Sequence, residues 1–312
     1  MLKYSFVLPA YKACFFREAL DSILNQTYKD FELIIVNDAS PEGLDAIVKS
    51  YDDPRIRYYE NENNIGGKDL VAQWNHCLEY ARGEYIILAS DDDVYHLEYL
   101  EKMDTLVYKY PEVNVFRPRV QLIDENGKPY AVDGFLEGKL SQLEYVYAWI
   151  KGYVGSGIPF FVFKKNALKD IGGFAQYPLA WFSDDATAIK LANNGICGTS
   201  DILFSFRQSG LNISTKKQTK QELLNKIKAT EQFYNFIRTD ILTVKYDEVS
   251  TLYQKTISWH LNEMMSEKIY SQMFNTSILT SLSITHRVSK LEFVSRKNLV
   301  IKWLNHINNK LI

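Results

Sequence analysis

A chain of 312 residues, 46% hydrophobic and 24% charged, is long enough for one large folded domain with an appended piece, in the composition of an ordinary soluble protein. A net charge of −2 gives no general reason to expect nucleic-acid binding, and no apolar run approaches the ~20 residues that span a bilayer. Cys14, Cys77 and Cys197 lack metal or redox spacing and read as reduced packing residues, and the N-terminal apolar run is too short for a signal peptide. A soluble, cytoplasmic chain is predicted.

The first hundred residues alternate strand and helix. Tyr4 to Leu8 is an apolar strand, and Phe16, Ala19, Leu20, Ile23 and Leu24 recur at helical spacing. Phe31 to Val36 is a continuous apolar run, the mark of a strand buried on both faces. A short helix is expected after Pro41, then a strand at Ile56 to Tyr59. Leu70, Val71, Trp74, Leu78 and Ala81 form another helical stripe before a fourth strand at Tyr85 to Ala89. Four such alternations predict an α/β fold, a mostly parallel Rossmann-like sheet with helices on both faces.

Beyond residue 100 the pattern loosens. Val113 to Ile123 followed by the turn Asp124-Glu125-Asn126-Gly127 predicts a hairpin, and Ile158 to Phe163 a buried strand. Asp184 to Asn193 reads as a helix ended by Gly195. From Ser214 the sequence is helical and Lys-rich, without Gly or Pro. A boundary near Ser209–Thr219 therefore divides residues 1–213, with a nucleotide-binding half (1–100) and an acceptor-side half (101–213), from a helical region, 214–312.

Ligands of open parallel sheets bind beyond the carboxyl ends of the strands. Polar residues gather there four times: Pro9-Ala10-Tyr11, Asn37-Asp38-Ala39-Ser40, Glu62-Asn63-Asn64 and Ser90-Asp91-Asp92-Asp93. Each alone also reads as an ordinary turn or helix cap; four on one rim point to a site. Tyr11 offers a face for a base, and Asp38 can accept from an imide N–H. Three adjacent carboxylates repel one another unless a cation lies among them, and oxygen ligands select Mg²⁺ or Mn²⁺.

These motifs, with Ser22-Ile23-Leu24-Asn25-Gln26-Thr27-Tyr28, Gly83-Glu84-Tyr85-Ile86, Gly172-Gly173-Phe174, Asp184-Asp185 and Arg207, in this order resemble the family 2 glycosyltransferases of the GT-A fold. The resemblance implies that Pro9, Ala10, Tyr11 and Asp38 hold the uracil of a UDP-sugar, that Asp91 approaches the ribose, and that Asp92 is the main metal ligand with Asp93 in support. It implies that Lys68 can reach base or phosphate, that Arg207 contacts the diphosphate, and that the catalytic base is Asp185, with Asp184 beside it. A single base opposite the leaving group implies inversion by direct displacement, with a hexose passing to a saccharide or lipid-linked saccharide hydroxyl. Three departures stand out: no carboxylate precedes the triplet, the acidic pair is Asp-Asp rather than Glu-Asp, and Phe206-Arg207-Gln208-Ser209 has Ser where relatives often have His.

Other signals are weaker. Gly155-Ser156-Gly157 lacks the strand–helix context of a dinucleotide loop and reads as acceptor-side lining. Leu291, Phe293, Leu299, Trp303, Leu304 and Ile307, with Arg296, Lys297, Lys302 and Lys310, form a basic amphipathic pattern. Its two readings are packing on its own domain and peripheral contact with an anionic membrane. A sugar-nucleotide pyrophosphorylase would want glycines between Tyr11 and Arg17, where there are none. A catalytically silent saccharide-binding homologue would have lost acidic residues that are here intact.

Overall fold

The structure, a computed structural model, describes residues 2–210, 218–243 and 248–311, with side chains as far as His306. The apolar runs become the strands expected of them: β1 (Tyr4–Ala10), β2 (Phe31–Asn37), β3 (Ile56–Glu60) and β4 (Tyr85–Leu88). They lie in the order β3-β2-β1-β4, all parallel. β2 is buried along its whole length, as a run without polar alternation requires. The intervening helices are α1 (Phe16–Leu24), α2 (Leu44–Val48) and α3 (Leu70–Leu78). In α1, Phe16, Ala19, Leu20, Ile23 and Leu24 are all buried, so its apolar stripe is the face spent on the core.

The second half of the sheet is mixed. Its elements are β5 (Val94–Tyr95), α4 (Tyr99–Lys109), β6 (Val115–Ile123), β7 (Pro129–Val132), β8 (Gly138–Leu140), α5 (Gln142–Ile150), β9 (Val162–Lys164), α6 (Lys165–Asp170), α7 (Ser183–Leu191) and β10 (Ile196–Arg207). The order continues β4-β9-β6-β10-β5, with β9 antiparallel to both neighbours and β6 parallel to β10. The β6–β7 hairpin is antiparallel around the predicted turn, whose Asp124 Oδ1 accepts from the amides of Asn126 and Lys128.

Two elements differ from expectation. Ile158 to Phe163 is not one strand: Ile158–Phe160 is a 3₁₀ turn and only Val162–Lys164 pairs, because Pro159 has no N–H to give a ladder. The twelve-residue β10 carries no clean apolar alternation, since exposed Asp201 and Ile202 fall where its register against β6 shifts. Of the cysteines, Cys77 and Cys197 are buried as expected, but Cys14 is exposed and is not a packing residue.

The C-terminal region is helical: α8 (Lys220–Phe236), α9 (Glu248–Phe274), α10 (Ile278–Val288) and α11 (Arg296–Leu311). A capping box of Thr219 and Glu222 starts α8. α9 packs on α5, and α8 on the turn Pro178–Ala180 that precedes α7. No described helix is long and apolar enough to cross a membrane. Most of the predicted boundary segment lies outside the described residues.

Candidate active site

The sheet order sets the four strand ends side by side, and hydrogen bonds join them into one rim. Asp91 Oδ2 accepts from the amides of Tyr11 (2.9 Å) and Lys12 (2.7 Å), tying the end of β4 to that of β1. The Asp38 amide donates to Ala10 O (2.9 Å), and the Ser40 hydroxyl to Tyr11 O, tying β2 to β1. Asn61 Nδ2 donates to Asp38 Oδ1 (2.8 Å), which brings in β3. Ala39, between these contacts, has a left-handed φ of 53° that the Asn37 side chain helps hold by accepting from Ser40 N.

Each predicted residue has a definite place on this rim. Pro9 and Ala10 end β1, with Tyr11 beyond them, its ring 40% exposed and free to carry a flat ligand. Asp38 is buried, and its oxygens also accept from Ile65 N (2.8 Å) and Gly66 N (2.7 Å). Of roughly four acceptor positions on a carboxylate, three are thus spent on the loop after β3. A Cβ on Gly66 would stand 3.0 Å from Asp38 Oδ2, so a larger residue there would press on the carboxylate. Lys68 is exposed on the same loop; of the third motif, Glu62 and Asn63 are exposed and Asn64 caps Gly67 N.

The acidic triplet is not a cage of three equivalent ligands. Asp91 is turned to backbone amides, and burial raises its pKa despite them. Asp93 is fully buried: Ser90 Oγ donates to one of its oxygens and the Arg207 amide to the other (2.8 Å). Burial, then the Asp92 charge, pushes Asp93 up to about 8. Of the three, among the described residues, only Asp92 is in an ion pair, with Lys12 Nζ at 3.5 Å. Among the described residues no three His, Cys, Asp or Glu side chains converge on one point. Such a donor set fits a divalent ion held by one protein carboxylate and completed by phosphate and water. Direct ligation by Asp93, expected as a second metal contact, does not suit a carboxylate so enclosed.

Arg207 also differs from its expected role. Its guanidinium is buried; Nε donates to Asp92 O (2.8 Å), one amine to the carbonyls of Asp124 and Glu125, the other to Glu18 Oε2 (2.6 Å). It stacks on Phe15 at 4.3 Å. Its side chain is tied to the Asp92 carbonyl and paired with Glu18, not set facing outward as a diphosphate contact would need.

Asp184 and Asp185 open α7, where a helix N-terminus favours negative charge. The approach is strained: Leu179, Ala180 and Phe182 have φ of 59°, 55° and 71°. Such conformations cost about 1–3 kcal/mol each and persist only when surrounding contacts fix them. Gly172 and Gly173, both near φ +87°, make the preceding turn, and a Cβ on Gly173 would overlap Asn75, whose Oδ1 accepts from Phe174 N (2.8 Å). Burial raises Asp184 and, more strongly, Asp185, which Asp184 raises further. Near Asp185 lie the buried hydroxyls of Ser156 and Tyr145, and that of Ser156 draws the pKa of both Asp185 and Tyr145 down against the burial that raises them. Tyr145 lies in α5, and the loop carrying Ser156 is fixed by the Arg117–Asp133 ion pair: Arg117 donates to Gly155 O (3.0 Å), and Asp133 accepts from Gly155 N (2.8 Å).

Sequence reasoning named Ser156 only within its Gly155-Ser156-Gly157 loop and missed Lys12, Asn61 and Tyr145. Lys12, beside Tyr11 and opposite an acidic triplet, carried a readable signal; the others meet the site only through tertiary packing.

The parallel half-sheet with its acidic rim, continued by mixed strands and α7, defines a GT-A-type α/β domain. The Glycosyl transferase family 2 profile matches residues 5–173, more than half of the chain, and the chain belongs to that family. The match ends before Asp184. Among curated relatives, an uncharacterized glycosyltransferase of Rickettsia bellii is 37% identical over 128 residues, 40% of this chain and 18% of the relative. Another, from Methanocaldococcus jannaschii, is 35% identical over 116 residues, 36% of this chain and 39% of the relative. Each match thus spans less than half of the relative's own length. Among solved structures, S. aureus TarS 1–349 with UDP-GlcNAc aligns with 98% of this chain and 80% of its own, at 19% identity and a TM-score of 0.64. The mannosyltransferase PcManGT of Pyrobaculum calidifontis, with GDP-Man and Mn²⁺, covers 99% and 86% at 14% identity and a TM-score of 0.50. At these identities the likeness is one of fold.

Proposed function

We propose that this glycosyltransferase moves a hexose from a UDP-sugar to a saccharide or lipid-linked saccharide hydroxyl, inverting the anomeric carbon in one displacement. The observation that carries the reading is the joined rim, in which a partly exposed aromatic ring (Tyr11), a buried carboxylate with one acceptor position left (Asp38) and a cation-facing carboxylate (Asp92) lie in sequence. Tyr11 stacks on the uracil, Asp38 accepts its imide proton, and Lys12 and Lys68 offer charge to the phosphates. Asp92 would hold Mg²⁺ or Mn²⁺, which when bound supplies positive charge to a departing diphosphate. Asp185 takes the proton of the acceptor hydroxyl as that oxygen attacks, and Asp184 orients it through the contact of its Oδ1 with Asp185 N. TarS with UDP-GlcNAc supports a uridine donor, and PcManGT with Mn²⁺ supports the ion.

The reading includes a peripheral contact with an anionic membrane through the exposed part of α11, and a cytoplasmic location. Calorimetry with UDP tests the donor site: binding should need Mn²⁺ or Mg²⁺, should exceed that of GDP, and should be lost in Asp92→Asn. Unchanged binding in that variant would remove the metal assignment.

A further inference from the structure

The segment that delivers the acidic pair is held from the C-terminal helices. Phe182, left-handed and two residues before Asp184, stacks face to face on Phe233 of α8, centroids 4.5 Å apart and planes 10° apart. Its neighbour Trp181 lies under the Lys226 ammonium at 4.4 Å. Lys268 of α9 places its ammonium over the Phe182 ring itself, 5.8 Å from the centroid. Two lysines from two helices therefore stand at the start of α7, and they differ in what they do. Lys226 is nine-tenths buried and donates to Gln272 Oε1 (3.0 Å), so its charge is committed to Trp181 and Gln272. Lys268 forms no ion pair with either carboxylate among the described residues; from its place over Phe182 its charge opposes, at longer range, the upward shift of both Asp184 and Asp185.

We propose that Lys268 is a positioning residue for Asp185: from the C-terminal helical region its ammonium, set over the Phe182 ring, favours the ionised form of the base at the start of α7. The inference rests on Asp185 being the base. A buried carboxylate beside another carboxylate favours its protonated form, and a protonated base cannot accept the hydroxyl proton. The other groups facing the pair do not supply the missing charge. Tyr145 of α5 and Ser156 are neutral, and Arg117 of β6 is neutralised by Asp133. From α9 itself, Glu267 is paired with Lys302 (2.8 Å), and His260 is in contact with Lys151 of α5. Among the described residues, the α7 N-terminus and Lys268 are the positive contributions that remain.

The test uses the full chain with UDP-GlcNAc and UDP-glucose as donors, Mn²⁺ and a panel of simple saccharide acceptors, following UDP release against pH. In Lys268→Met the acidic limb of kcat/KM should move up by about one pH unit, an about tenfold loss below the limb that recovers as pH rises. UDP affinity by calorimetry should stay within about twofold of the parent, and Lys268→Arg should keep the parent profile. A superimposable profile in Lys268→Met, or a loss equal at every pH, would overturn the proposal. An activity-free readout accompanies it: at pH 8 Lys268→Met should lower the melting temperature in the parent and lower it much less in an Asp185→Asn background. Equal losses in both backgrounds would also overturn it. Transfer retained by Asp185→Asn would instead remove the base assignment on which the inference stands.

Discussion

At the residue scale, the acidic side chains that share the rim and its neighbourhood are separated in role by what surrounds each carboxylate. Asp38 and Asp91 are bound by backbone amides, Asp93 is enclosed by Ser90 and the Arg207 amide, and Asp92 faces Lys12. Asp185 is the outlying case, raised by burial and then by Asp184. A carboxyl whose folded-state pKa is raised contributes stability that is fully present below its unfolded value, near 3.8, and is lost as pH rises through the folded value. Asp185→Asn removes that dependence. The variant should therefore melt above the parent at pH 8, with the gap closing toward pH 4, measured by thermal unfolding in EDTA. A gap that widens as pH falls would contradict the burial argument. The sequence gathered Asp38 and the triplet at strand ends, and the resemblance divided their roles, but the partners that set the carboxylates apart could not be read from it. The partners of Asp91 and Asp38 are backbone amides of the loops after β1 and β3, and backbone leaves no mark in residue identity.

At the element scale, legibility followed the kind of burial. Strands buried on both faces write continuous apolar runs, so β1, β2 and β4 could be read almost to the residue. β10 could not, because its bulged middle exposes Asp201 and Ile202. The amphipathic pattern near the C-terminus splits between its two readings. Leu291, Phe293, Leu299 and Trp303 are buried, and Trp303 Nε1 donates to Thr285 Oγ1 (2.8 Å), so that part packs on its own region. Val300, Ile301 and Leu304 are exposed, with Val300 and Leu304 lining an open apolar groove of about 370 Å³ against α10. Arg287, Lys290, Arg296 and Lys297 are exposed on α10, α11 and the turn between them, and Arg296 lines the groove; the side chains of Ile307 and Lys310 lie outside the described residues. An apolar strip with a basic rim suits an anionic lipid surface. The chain should float with phosphatidylglycerol vesicles, should not float with phosphatidylcholine alone, and should lose flotation on Val300→Glu with Leu304→Glu. No flotation with the anionic vesicles would leave α10 and α11 a packing element only.

At the scale of the whole molecule, the rim of strand ends is written locally and the surroundings of the acidic pair are not. Each rim motif sits at the end of its own strand, and parallel order alone assembles the four ends. The acidic pair is different: its strained approach is fixed by Phe233, Lys226 and Lys268, roughly fifty to eighty residues further along, so the C-terminal helices expected as an appendage are part of the site's support. No periodicity within one segment can announce such contacts. The central claim is that donor binding and chemistry are divided between Asp92 and Asp185. It is tested most directly by Asp185→Asn, with UDP affinity and UDP-sugar turnover measured on the same preparation. Donor affinity within about twofold of the parent, with turnover reduced by at least about a hundredfold, is the predicted result. Parent-like turnover, or loss of UDP binding together with turnover, would contradict it.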